Sequence, residues 1–174
     1  KEIFGNEKLV AERYVSSKDK DMLIDIIGRC DYISNHLVGE AKTKPPTIKK
    51  KRGKDEYYMA STQLPNDPDP MHVSQLSFYF HCTKKKPFLF YVNENEYRIF
   101  DDTHDMLRSD YLEHQYNLLT QRLKSWEQLI IFCKGDIQKL SSFAEPPELN
   151  HPFYYRDLID DQKKQIKQLW GLDA

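Results

Sequence analysis

The run Gly28-Arg29-Cys30-Asp31-Tyr32-Ile33-Ser34-Asn35-His36-Leu37-Val38-Gly39-Glu40-Ala41-Lys42 decides how the rest of the chain is read. Ser34, Asn35 and His36 form a polar turn between two apolar runs, the signature of a hairpin. Side chains alternate along a strand, so Glu40 and Lys42 share one face and Ala41 takes the other. The hairpin folds Asp31 back towards Glu40, bringing two carboxylates and an amine together. Carboxylates that hold a divalent cation, beside a cation that steadies an attacking water or developing phosphorane charge, suit metal-assisted phosphodiester hydrolysis. A Glu-x-Lys pair also fits the solvated face of an edge strand. Leu37 and Val38, with Met22-Leu23-Ile24 and Ile26-Ile27 on the partner strand, favour a buried central hairpin instead. Carboxylates retained there want a metal or a cation.

Working outward, Lys8 to Ser17 reads as a preceding strand, with Val10, Tyr14 and Val15 as core contributors. Met22 to Ile33 is the second strand and His36 to Thr43 the third, an antiparallel meander. Gly28 and Gly39 inside these strands mark a bulge or a close approach. From Lys44 to Asp67 periodicity vanishes, and a loop without secondary structure is expected. It carries Lys44, Lys49, Lys50, Lys51, Arg52 and Lys54, followed by Tyr57 and Tyr58. Cations beside aromatics suit a nucleic-acid backbone and its bases, although a solvated loop or an import-like basic cluster has the same composition.

Asp69-Pro70 is a helix start, with Asp as N-cap and Pro in the first turn. The helix runs to about Thr83, with Val73, Leu76 and Phe80 on an apolar face. His72, Gln75 and Tyr79 line another, a polar trio that an exposed stripe would also show. Pro87–Asn93 and Glu96–Phe100 are two further strands. A stripe of Leu107, Tyr111, Leu118, Leu119, Leu123, Trp126, Leu129, Ile130 and Cys133 predicts a long helix. Ser141 to Tyr155 is irregular, and Asp157 to Trp170 is a final amphipathic helix.

The chain has 174 residues, 39% of them hydrophobic, and a formal charge of −1, enough for one real core and no global basic field. Cys30, Cys82 and Cys133 are widely separated, which argues for reduced thiols and against a zinc ribbon or a four-cysteine cluster. No apolar run reaches membrane-spanning length and no signal pattern opens the chain, so a cytoplasmic location is expected.

Gly28-Arg29-Cys30-Asp31, then Glu40-Ala41-Lys42, then Gln75-Leu76-Ser77-Phe78-Tyr79 on a helix that leads into a strand, resembles the PD-(D/E)XK nuclease superfamily. Within it, the similarity is to the RecB-like and lambda-exonuclease-like branch. The resemblance implies an α/β fold with a restriction-endonuclease-like mixed sheet flanked by helices. It implies one domain, with a core over about residues 8–102, a basic loop over 44–67 and a helical region over 103–174. Asp31 and Glu40 would be metal ligands, with the Ala41 carbonyl as a third, and the cofactor would be Mg²⁺ or Mn²⁺. Lys42 would orient the water or neutralise the scissile phosphate, and Gln75 and Tyr79 would line the site. Family members carry an upstream Glu or His on an N-terminal helix. Here few residues precede the first strand and Glu12 lies within it, so a fragment lacking that helix, or a degenerate member, is expected.

The expected function is a metal-dependent deoxyribonuclease, an exonuclease acting on DNA ends or single strands in a bacterial or phage-infected cell. A replication or recombination protein is the expected partner. Two alternatives stay open: an inactive nucleic-acid- or protein-binding module of the same fold, and an unrelated interaction domain in which Glu40 and Lys42 form a structural ion pair.

Overall fold

Strands β1 (Val10–Ser17), β2 (Ile26–Ile33) and β3 (Leu37–Thr43) form the antiparallel meander expected from the first third of the chain. A computed structural model describes residues 8–144 and 158–170. The turn at Ser34 is closed by its own groups: Ser34 N–H donates to the Leu37 carbonyl (2.9 Å), and its Oγ accepts from the His36 and Leu37 amides. The hairpin β4 (Thr47–Lys50) and β5 (Tyr57–Ala60) comes next, then helix α1 (Pro70–Thr83), β6 (Lys86–Val92) and β7 (Tyr97–Asp101). The main sheet has the order β1-β2-β3-β6-β7, with β4 and β5 forming a separate two-stranded sheet. Parallel neighbours need a crossover, and α1 supplies the one between β3 and β6; every other pair is antiparallel. The fold is therefore mixed α/β around a five-stranded mixed sheet, with β3 at its centre. A 3₁₀ turn (Asp105–Leu107) precedes α2 (Ser109–Phe132), followed by α3 (Ile137–Ser141) and α4 (Asp160–Leu169). The chain divides into two compact units, residues 1–122 and 123–174, and the division falls inside α2.

Helix α1 begins as its sequence dictates, with Asp69 Oδ1 accepting the Met71 amide and Pro70 opening the first turn. It ends at Lys84, which takes the left-handed conformation at φ 54° and returns its N–H to the Phe80 carbonyl. Val73, Leu76 and Phe80 are buried with Cys30, Val38, Leu89 and Tyr91 from the sheet, and with Leu107, Leu112 and Tyr116 from the segment after it. Burial at this density makes the core sensitive to added volume. A Cβ on Gly39 would lie 2.3 Å from the Phe88 ring, and one on Gly28 would lie 2.6 Å from Phe78. Both glycines are close-approach positions, as their place in strands implies.

Several expectations are corrected. Met22–Asp25 is not strand: the chain turns at Asp19, whose carbonyl takes the Met22 N–H, and β2 begins only where Ile26 meets Ser17. Leu23 and Ile24 are therefore 79% and 68% exposed. Tyr14, at 73%, and Val10, at 38%, are also outside the core, because an edge strand buries one face and Val15 occupies it. The expected structureless segment over residues 44–67 contains the β4–β5 hairpin, whose register pairs Lys49 with Tyr58 and Lys50 with Tyr57. In the long helix Leu112, Tyr116 and Thr120 are the buried positions, whereas Trp126 and Ile130 are exposed. Asp157 and most of Ser141 to Tyr155 lie outside the described residues. Cys30, Cys82 and Cys133 are free thiols, and no helix among the described residues is long and apolar enough to cross a membrane.

Gly39→Ala is expected to lower stability by about 1–3 kcal/mol, because the Phe88 ring must leave its place over β3. Urea unfolding reads this directly. An unchanged midpoint would show that the ring moves freely.

Candidate active site

Strand β2 loses its ladders on both sides at one residue. The β1–β2 register runs through Ala11 with Tyr32 and Arg13 with Cys30 but skips the intervening pair, Glu12 with Asp31. Glu12 there adopts φ 55°, a conformation disfavoured for a residue with a Cβ. On the other side β2 and β3 pair only over Tyr32 with Gly39 and Ile33 with Val38. Asp31 with Glu40 is the next pair, and there the strands part. The Ala41 amide, left without a ladder partner, donates to Asp31 Oδ2 (2.9 Å). A strand residue presents its N–H and C=O to the same side, so the Ala41 carbonyl faces the same opening.

Glu40 and Lys42 do share a face, and the face is turned to α1. Lys42 Nζ lies 2.5 Å from Glu40 Oε1 and donates to Gln75 Oε1 at 3.1 Å. Gln75 Nε2 donates to Glu40 Oε1 (2.8 Å) and to the Tyr79 hydroxyl (2.8 Å), which itself donates to the Arg29 carbonyl (2.8 Å). These contacts fix which end of the Gln75 amide is oxygen, since an ammonium can only donate and a carboxylate only accept. The polar trio is thus no exposed stripe: Gln75 and Tyr79 clamp the Glu40–Lys42 pair from the helix side and tie it to β2. Tyr79 is buried, and burial pushes its phenol up to about 12, so it acts as a neutral strut.

Glu40 is 3% exposed. Burial pushes its carboxyl above the usual range, and the charge of Asp31 adds to the rise; the ammonium and hydrogen bond of Lys42 and the bond from Gln75 oppose it. Its second oxygen, Oε2, is buried without a hydrogen-bond partner among the described residues. An orphaned carboxylate oxygen, on a group that also feels the charge of a second carboxylate, suits a hard divalent cation, which takes oxygen ligands. Among the described residues no group of three or more His, Cys, Asp or Glu side chains could hold a metal ion. The protein's share of a cation site would thus be Asp31, Glu40 and the Ala41 carbonyl, a set compatible with Mg²⁺, which keeps several waters.

The residues singled out for nucleic acid lie on the segment that follows β3. Lys44 follows β3, its amide bonded to the Val92 carbonyl. Lys49, Lys50, Lys51, Arg52, Lys54, Tyr57 and Tyr58 sit on the exposed β4–β5 hairpin. Lys50 pairs with Asp55 (2.6 Å) and lies 5.7 Å from the centre of the Tyr57 ring, while Lys51 pairs with Glu56 (2.8 Å). Sequence reasoning missed the Ala41 amide and a second network, in which His72 Nδ1 lies 2.8 Å from the Tyr91 hydroxyl. The sequence carried no signal for the latter, because it depends on the β3–β6 register.

No family model matches this chain, and no curated protein does. Among solved structures, the crystal structure of SSO0001 aligns over 53% of this chain and 40% of that one, with 20% identity and a TM-score of 0.36. Likeness at that level carries no functional information.

The raised Glu40 carboxyl sets the sign of a pH dependence. The folded state binds that proton more tightly than the unfolded chain, so the contribution is full below the unfolded value near 4.5 and is lost as pH rises through the folded value. Glu40→Gln, which never ionises, is expected to gain on wild type in melting temperature as pH rises from 4 to 8, whatever the gap that loss of the Lys42 pair leaves at pH 4. Thermal melts across that range decide it. A gap independent of pH would exclude the titration of Glu40 as its cause.

Proposed function

We propose that this chain is a metal-dependent deoxyribonuclease, acting on DNA ends or single strands, with its site at Asp31, Glu40 and Lys42. The single observation that carries the reading is the buried, partnerless Oε2 of Glu40, a carboxylate on which the charge of Asp31 also acts. The residue pattern supports it: the order and spacing of Asp31, Glu40, Lys42, Gln75 and Tyr79 resemble those of PD-(D/E)XK nucleases. A bound Mg²⁺ or Mn²⁺ would supply Lewis-acid polarisation and a more acidic water. The chain's own residues do the rest. Asp31 and Glu40 would hold the cation, Lys42 would offer its ammonium to the phosphate, and Gln75 keeps Lys42 from collapsing wholly onto Glu40 by sharing its hydrogen bonds. Tyr79 and the Arg29 carbonyl hold Gln75 in register.

A second reading is a nucleic-acid-binding module that does not cut. The β4–β5 hairpin favours it, since Lys49, Arg52 and Lys54 have no ion pair among the described residues and stand beside exposed Tyr57 and Tyr58.

Labelled single- and double-stranded DNA, incubated with Mg²⁺, Mn²⁺ or EDTA, separates the two. The nuclease reading expects cleavage that EDTA abolishes and that Asp31→Ala or Lys42→Ala lowers by about two orders of magnitude or more. Saturating Mg²⁺ should raise the melting temperature of wild type and leave Asp31→Ala unmoved. Cleavage that survives Lys42→Ala would sink the assignment. Salt-sensitive binding without cleavage, weakened when Lys49, Arg52 and Lys54 are neutralised, would select the module.

A further inference from the structure

One turn of α1 before Gln75, His72 meets the same stretch of sheet. The parallel register sets Lys42 beside Tyr91. Their side chains reach successive positions on one helix face: Lys42 bonds Gln75, and Tyr91 bonds His72. The Tyr91 residue is wholly buried, and its hydroxyl oxygen already accepts the Asp69 amide (3.1 Å). The hydroxyl still has its own hydrogen to place, and among the described residues His72 Nδ1 is the acceptor in reach, at 2.8 Å. Nδ1 is then the bare nitrogen, and the ring's hydrogen sits on Nε2. Burial, followed by the charge of Lys42, holds this imidazole below the ordinary histidine range, so it is neutral at pH 7. His72 is half-buried, and with Nδ1 taken by buried Tyr91, Nε2 is the ring nitrogen left to meet a ligand.

A neutral N–H donor of fixed orientation, in the positive field of Lys42 and Lys44, faces an anionic acceptor best. We infer that His72 is a substrate-binding residue of this site, donating Nε2–H to a non-bridging phosphate oxygen of the nucleic-acid strand that Lys42 addresses. This role rests on the nuclease reading above. It adds a contact that the Asp31, Glu40 and Lys42 pattern does not contain, and it gives Tyr91 and Asp69 the task of fixing the tautomer.

The test compares wild type, His72→Gln and His72→Phe in binding a labelled single-stranded oligonucleotide with Ca²⁺, and in cutting it with Mg²⁺. Glutamine can place an amide donor near the Nε2 position, and phenylalanine cannot. His72→Phe is expected to raise Kd and KM about tenfold with kcat little changed, and His72→Gln to recover most of the loss. Wild-type affinity in His72→Phe would overturn the role, as would equal losses in both variants, which would mark packing alone. Nitrogen NMR that finds the proton on Nδ1 in the free protein would also overturn it. Wild type that binds but does not cut would sink the nuclease reading alone, with His72 still judged on Kd. Wild type that neither binds nor cuts would remove both.

Discussion

A carboxylate almost withdrawn from water is the constraint on which the rest of this structure depends. An ionised group in such a place is costly unless a cation and hydrogen bonds surround it, and removing one partner of a buried pair costs about 3–5 kcal/mol. Around Glu40 the compensation comes from two directions. Lys42 supplies charge from the same strand, and Gln75 supplies a donor from the helix above. Gln75 would not arrive without the crossover that lays α1 over β3, so the parallel β3–β6 pairing and the hydrogen bonding of Glu40 are one arrangement. Gly28 serves it too. With no Cβ, β2 lets the Phe78 and Tyr79 rings approach closely enough for the Tyr79 hydroxyl to bond the Arg29 carbonyl.

The opening beside Glu40 is made by failed pairing. Asp31 is skipped by the registers of both neighbours, and Glu12 across from it sits at φ 55°. A left-handed residue with a side chain costs on the order of 1–2 kcal/mol, and such strain clusters at working sites. Here it coincides with the point where Asp31 exchanges a place in the ladder for the Ala41 amide. The Glu12 carboxylate does not join Asp31 and Glu40. It turns to Arg29, 3.6 Å away, on the exposed side of β1.

What could be read from the sequence is what local chemistry determines. Asp69-Pro70 announces a helix start because a side chain can cap it unaided, and Ser34-Asn35-His36 announces a turn for the same reason. The convergence of Asp31, Glu40 and Lys42 was legible because a hairpin and a two-residue period suffice to predict it. Other features depend on partners that the sequence does not name. Leu23 and Ile24 look like core and are exposed, because the turn at Asp19 delays the strand. Trp126 and Ile130 keep a helical period, yet periodicity marks a face without saying what covers it. The β4–β5 hairpin gave no signal because it has no buried side to generate alternation. The link between His72 and Tyr91 needs the β3–β6 register, which the sequence does not disclose.

That hairpin carries a further consequence. Two strands in a sheet of their own expose two unpaired edges, one on the strand of Ile48 and one on that of Tyr57 and Met59, and each is a template for another chain's strand. Isolated two-stranded sheets are also marginal in water, so such a template would be intermittently frayed. Lys49, with Lys50 and Lys51 in their pairs with Asp55 and Glu56, sets charged side chains along the first of these edges, and charged side chains on an edge discourage another strand from adding to it. The lysines therefore protect the molecule against self-association whatever else they touch, and exchanging them for neutral residues would trade a soluble finger for a sticky one.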